Sequence, residues 1–139
     1  MELQKVKELV ERDNEGVAVP IYQPNGDPYL GADGKPSTIT VLGSESKAYK
    51  DMRRIQQGRL FHAARSGRAG HKTPEDSERD AEELAAAAVV SWSGWEANGE
   101  PLPCTPENVR ALLTVDHIFD QVNRGIQQHA SFFERASVV

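Results

Sequence analysis

Most of the large apolar side chains this chain could bury fall between Leu84 and Phe133, and that concentration decides where a core must lie. The stretch holds both tryptophans, Trp92 and Trp95, together with Phe119, Phe132 and Phe133. A fully buried Leu or Phe contributes roughly 1.5–3 kcal/mol, and truncating a buried Trp costs about 3–5 kcal/mol. Most of the burial energy must therefore come from here. No catalytic motif falls inside it.

The helix signals around this stretch are strong. Thr73 is placed to cap a helix, Pro74 takes the first position where a missing N–H is harmless, and Glu75, Asp76, Glu78 and Asp80 suit the positive end of its dipole. The spacing of Leu84, Ala88, Trp92 and Trp95, with Val89 alongside, predicts that this helix runs on to Gly94 and Ala97-Asn-Gly99. Pro101-Leu-Pro103 is extended, with Leu102 as a hook into the core. Thr105-Pro106 repeats the helix start, and Val109, Leu112 and Leu113 form the buried face of a short helix. After Thr114, Ile118, Phe119, Val122, Ile126 and Phe133 read as the stripe of one last helix, capped by Asp116, with His129 at its boundary.

The N-terminal third reads differently. Leu3, Val6, Leu9 and Val10 stand at helical spacing among Glu and Lys, and Gly16 offers a left-handed stop. So short a helix is marginal without something to pack on. From Val17 the period becomes two: Val17, Val19 and Ile21 point one way, and Pro20 limits the strand to an edge. Pro24-Asn-Gly-Asp27 and Ala32-Asp-Gly-Lys35 are turns flanking Tyr29-Leu30, and Thr38–Leu42 alternates again. Asp27 and Asp33 lack the acid ladder and closing Glu of a calcium loop, so they are read as turn residues. Ser44 is placed to cap a third helix, with Ala48, Tyr49, Met52, Ile55, Leu60 and Ala63 on its apolar side. Gly58 weakens it by roughly 1 kcal/mol relative to Ala. Arg65–His71 reads as a flexible basic loop, extending to about residue 73.

These patterns predict one α+β domain over residues 1–139, mostly helical. Residues 1–43 make a short helix and a small antiparallel β meander; residues 44–139 make the helical part and its core. At 139 residues the chain is long enough to bury a real core. No apolar run approaches the ~20 residues that span a bilayer, and the first residues lack the apolar segment of a secretory signal. A cytosolic protein without membrane contact is expected. Cys104 is the only cysteine, so no disulfide can form within one chain.

The net charge of −5 conceals three blocks. Residues 1–46 carry four Lys/Arg against eight acids, residues 47–72 carry eight against Asp51 alone, and residues 73–139 carry four against twelve. The basic block could meet phosphates through Arg53, Arg54, Arg59, Arg65 and Arg68. Stacking residues are not interleaved with it, however, and the acidic run Glu75–Glu83 follows directly. Pairing with that run, or with a protein partner, is the better account, and nucleic acid is not the expected ligand.

Searches for reactive chemistry fail. No two histidines have ligand spacing, and Asp116 and His117, being adjacent, do not face each other on a helix. Cys104 lies between Pro103 and Thr105 with no neighbouring cation to activate it. Gly67-Arg-Ala-Gly70 lacks the Gly-Lys-Ser/Thr end of a phosphate loop. Neither catalytic residue, metal nor cofactor is expected.

The order of parts does match one pattern. A turn-rich β segment ends in Gly43-Ser-Glu-Ser46, followed by Lys47-Ala-Tyr-Lys50. After a charged middle come Val89-Val-Ser-Trp-Ser-Gly-Trp95, Gly99-Glu-Pro-Leu-Pro103, Thr105-Pro-Glu-Asn108 and Leu112-Leu113, with a closing aromatic helix. This order resembles the tail assembly chaperones of long-tailed bacteriophages, over nearly the whole chain but without a fixed signature. The resemblance implies a non-enzymatic protein of the infected host's cytoplasm that binds the tape measure protein, and tail tube subunits, during tail morphogenesis. Family members commonly have a longer frameshifted product; nothing in this chain shows one. A homo-oligomer is compatible with it, and the competing function is a basic-helix nucleic-acid-binding or virion-associated phage structural protein. A chaperone of this kind needs exposed helical stripes to cover apolar helices of its partner. The candidates are Trp92 and Trp95 at one corner and Phe119, Val122, Ile126, Phe132 and Phe133 on the last helix; the competing account is that all of them face inward.

Overall fold

The computed structural model describes residues 2–65 and 73–137. The element order is α1 (Leu3–Arg12), β1 (Val17–Pro20), β2 (Thr38–Val41), α2 (Lys47–Arg65), α3 (Pro74–Ala87), β3 (Val89–Ser93), β4 (Glu96–Ala97), β5 (Glu100–Pro101), α4 (Pro106–Leu113), α5 (Asp116–Gln127) and α6 (His129–Ser137). The fold is α+β, with most of the described residues helical and an N-terminal β hairpin. The basic loop expected near 65–73 falls almost entirely outside the described residues.

The period-two run folds as its alternation requires. β1 and β2 pair antiparallel with Val17 opposite Val41 and Val19 opposite Ile39, so all four point to the same, buried side. The connection between them is the expected pair of turns. Asn25 Oδ1 accepts the Asp27 N–H at 3.0 Å, and Asp33 Oδ1 accepts the Lys35 N–H at 2.9 Å. Gly26 and Gly34 hold the positive φ these turns need. The two Asx side chains are thus occupied by local backbone.

β3 is the main departure from the sequence reading. The helix expected to run through Trp95 stops at Ala88, whose carbonyl is taken by the Leu42 N–H at 2.8 Å. Val89–Ser93 then pairs antiparallel with β2, giving a sheet of order β1-β2-β3. Trp92 lies opposite Ile39, and a register shift between Thr40 and Val41 leaves Val90 as an extra residue on β3. Four alanines carry helical propensity up to this point, but the β-branched Val89 and Val90 favour the strand once a sheet edge is available.

Capping follows the sequence at two helices and departs from it at others. Thr73 accepts the Asp76 N–H, Asp76 returns the bond to the Thr73 N–H, and Thr105 accepts the Asn108 N–H. α2 starts later than expected: Ser46, not Ser44, accepts from the Tyr49 N–H. Residues 43–45 instead dock onto the end of α1, where Asp13 takes the Gly43 N–H on its carbonyl and the Glu45 N–H on Oδ2. A Cβ at Gly43 would collide with the Asp13 carboxylate. Gly16 does not adopt the left-handed conformation; its position requires space beside the Thr40 methyl. Asp116 does not cap α5, whose N-cap is Val115 without a side-chain bond.

The core lies between the sheet and the C-terminal helices. Val19, Ile21, Ile39 and Val41 meet Ala85 and Ala88 of α3, Val109 and Leu113 of α4, Ile118, Val122 and Ile126 of α5, and Tyr49 of α2. Gly125 allows α5 to press onto β1, since a Cβ there would stand 2.8 Å from Val19 Cγ2. The single closing helix of the sequence reading is two helices. Gln128 leaves helical geometry, with ψ at 26°, and its carbonyl starts α6 by accepting from Ser131 and Phe132. The turn carries His129 into the interior, where it is fully buried instead of lying at a boundary.

Candidate partner-binding surfaces

The aromatic corner is built by β3 and the turn after it. Trp92 Nε1–H donates to the Leu102 carbonyl at 2.8 Å, so the extended Pro101-Leu-Pro103 segment is held through its backbone. Trp95 Nε1–H donates to Thr38 O at 3.0 Å. Tyr29 packs against Trp95 and His117, and its hydroxyl lies 2.5 Å from His117 Nε2. Both tryptophans are half-buried and packed against the core, which leaves each one edge for solvent. This corner is a structural joint between hairpin, strand and α5.

The other apolar candidates do not form one patch. Val122 and Ile126 are 0% exposed and lie under the sheet. Both are core residues and not the surface candidates expected from the sequence, because α5 points that stripe at β1 and β2. Phe119 is half-buried beside a hollow it shares with Glu82, Leu113 and Asp116. Phe132 lines a different hollow, with Val19, Tyr22 and Arg124. Phe133 packs on His129, and the Arg12 guanidinium lies 5.2 Å from its ring centroid. Of the seven, Trp92, Trp95, Phe119, Phe132 and Phe133 keep partial exposure, the tryptophans together at one corner and Phe119 and Phe132 beside different hollows.

The larger apolar exposure lies where the sequence reading placed no site. α1 has no buried residue: Leu3 is 68% exposed, and Val6 and Leu9 are more than two-fifths exposed along the same face. On α2 only Tyr49 is buried, while Ile55, Leu60 and Phe61 (66%) stand in solvent. The signal was present in α1, a clean apolar stripe on a helix too short to be stable unaided. Isolated exposed leucines are ordinary on protein surfaces; a stripe covering one face of a whole helix is less so.

The arginines are partly engaged. Arg54 and Lys47 both reach Asp51, at 3.4 and 2.7 Å, and the Lys47 hydrogen bond holds the Asp51 carboxyl below its ordinary range. Arg59 pairs with Glu83 at 2.7 Å, and Gln56 bonds the Asp80 carbonyl and Glu83. The basic helix therefore meets the acidic run at the run's C-terminal end, through Glu83 and the Asp80 carbonyl. Arg65 lies over the Phe61 ring, Arg53 is exposed, and Arg68 lies outside the described residues.

Cys104 is free, and burial pushes its thiol pKa up, so at neutral pH it is a poor nucleophile. Among the described residues no group of three or more His, Cys, Asp or Glu side chains is placed to hold a metal ion. No described helix is long and apolar enough to cross a membrane. Neither a family model, a curated protein nor a solved structure matches this chain.

Proposed function

We propose that this chain is a non-enzymatic assembly chaperone of long-tailed phage tails, acting in the host cytoplasm to hold the tape measure protein, and tail tube subunits, until they are packed. The order of sequence parts described above motivates the family. The observation that carries the binding role is the exposed apolar face of α1, Leu3, Val6 and Leu9, together with Ile55, Leu60 and Phe61 on α2, among the described residues. Full burial of a Leu or Val returns roughly 1.5–3 kcal/mol, and these side chains forgo much of it in the isolated chain. An amphipathic helix laid along them would recover it.

Co-expression with a tape measure protein of a long-tailed phage is the test. A complex that co-elutes in size-exclusion chromatography and persists at moderate salt is expected, because apolar contacts are not screened. Failure to form a complex, or a complex only with nucleic acid whose affinity falls steeply with salt, would remove the reading in favour of the basic-helix alternative.

A further inference from the structure

The break at Gln128 carries His129 into the interior, where it is 1% exposed, and its two ring nitrogens meet different surroundings. Nε2 lies 2.6 Å from the Glu15 carbonyl oxygen, which only accepts, so Nε2 holds the proton of the neutral ring. Nδ1 is then a bare lone pair. It is sealed from solvent, makes no hydrogen bond among the described residues, and stands 3.4 Å from Asp13 Oδ1. Two acceptors face each other across that gap, which is wider than the about 2.7–3.2 Å of a formed N–H···O bond.

The charges around the ring leave Asp13 as its counterpart. The Asp13 side chain is 14% exposed, and its Oδ2 accepts the Glu45 N–H at 2.8 Å, which fixes the carboxylate in place. The other charged groups on the packed elements are engaged elsewhere. Arg12 of α1 reaches Glu134 of α6 at 3.6 Å and lies over the Phe133 ring. Glu45 is held by Lys50 and Lys47 by Asp51, each at 2.7 Å, and Arg135 lies over Phe132. Glu15 and Arg124 are exposed, and β1 carries no ionisable side chain. Among the described residues His129 has no ion pair other than the one with Asp13.

A proton at Nδ1 reverses this contact. The imidazolium donates from both nitrogens, so a facing lone pair becomes an N–H aimed at a carboxylate oxygen and largely shielded from water. We propose that His129 and Asp13 form a proton-operated latch: one proton taken from solvent at Nδ1 draws α6 onto the junction of α1 and α2, and its loss slackens that junction. The latch lies inside the fold and stands whether or not the chain binds the partner proposed above. The folded chain gains a bond with this proton that the unfolded chain lacks. The latch therefore contributes stability that is present in acid and lost as pH rises.

Asp13→Asn separates the latch from packing alone. Its amide can set the NH2 where Oδ1 stands and the oxygen where Oδ2 stands, giving Nδ1 a donor at any pH and still accepting the Glu45 N–H. Urea unfolding of the wild type and this variant is compared at about pH 8 and about pH 5.5, the range in which imidazoles change charge. Acidification should raise the wild type's folding equilibrium constant by about tenfold or more relative to the variant. A ratio that stays constant, or moves the other way, overturns the latch. Nitrogen-15 NMR of the wild type decides the same question if the variant does not fold. In the native state Nδ1 should pass from bare to protonated over that range, with Nε2 protonated throughout. The α6 amides, corrected for intrinsic rates, should then exchange about tenfold more slowly. A ring that keeps one protonation state across the range, or gains its proton with no slowing of α6 exchange, overturns the proposal.

Discussion

His129 Nε2 lies 2.6 Å from the carbonyl oxygen of Glu15, joining α6 to the segment that follows α1 across 114 positions of sequence. A carbonyl only accepts, so Nε2 carries the proton. The other ring nitrogen has no hydrogen-bond partner and stands 3.4 Å from Asp13 Oδ1. Asp13 in turn holds Gly43 and Glu45, and Asn14 Oδ1 takes the Lys47 N–H at 2.9 Å. The buried imidazole ties α6 to the segment after α1, and Asp13 and Asn14 tie that segment to the start of α2. His129→Ala removes a packed ring and leaves the Glu15 carbonyl without its donor, and should cost about 3 kcal/mol in urea unfolding. A loss below about 1 kcal/mol would mean that the tie is dispensable.

The contact between α5 and β1 depends on a missing side chain. Gly125→Ala gains about 1 kcal/mol of helix propensity, but its Cβ would stand 2.8 Å from Val19 Cγ2. Overpacking costs about 1–3 kcal/mol, so the variant should be less stable by about 1 kcal/mol in net terms. Paired with Val19→Ala, the same change should be neutral or stabilising. Additive losses in that double-mutant cycle would contradict the packing account.

Acid should weaken one identifiable surface pair. Lys50 Nζ bonds Glu45 Oε2 at 2.7 Å, and that bond, with the Lys50 charge, holds the Glu45 carboxyl below its ordinary pKa of 4.5. A carboxyl depressed in the folded state contributes stability that is complete above pH 4.5 and is lost as pH falls through the lower folded value. Lys50→Met should therefore lower the urea midpoint at neutral pH and converge on the wild type once acid has protonated Glu45, with the gap also shrinking in high salt. A gap that widens in acid would refute this sign.

What the sequence reveals here is mainly local chemistry. Thr73 and Thr105 announce their helices, and Asn25-Gly26 and Asp33-Gly34 announce their turns, because each acts on backbone groups two or three residues away. β3 is hidden because Leu84, Ala88, Trp92 and Trp95 happen to repeat at helical spacing, while the deciding partner, Leu42, is distant in sequence. The break at Gln128 is hidden for the same reason, since His129 turns inward to reach Glu15. Among the partner candidates, periodicity correctly found apolar stripes but could not tell which stripe is covered. Val122 and Ile126 are buried by the sheet, whereas Leu3, Val6 and Leu9 of the equally regular stripe of α1 stay exposed among the described residues.

The most direct measurement compares the wild type with Leu3→Glu/Val6→Glu/Leu9→Glu in binding the purified tape measure protein. These side chains are exposed, so the variant should keep its unfolding free energy within about 0.5 kcal/mol. Its affinity should fall by about a hundredfold, as expected for losing roughly 1 kcal/mol of apolar contact at each of three positions. A stable variant that binds as tightly as the wild type would contradict the claim that this face exists to hold another polypeptide.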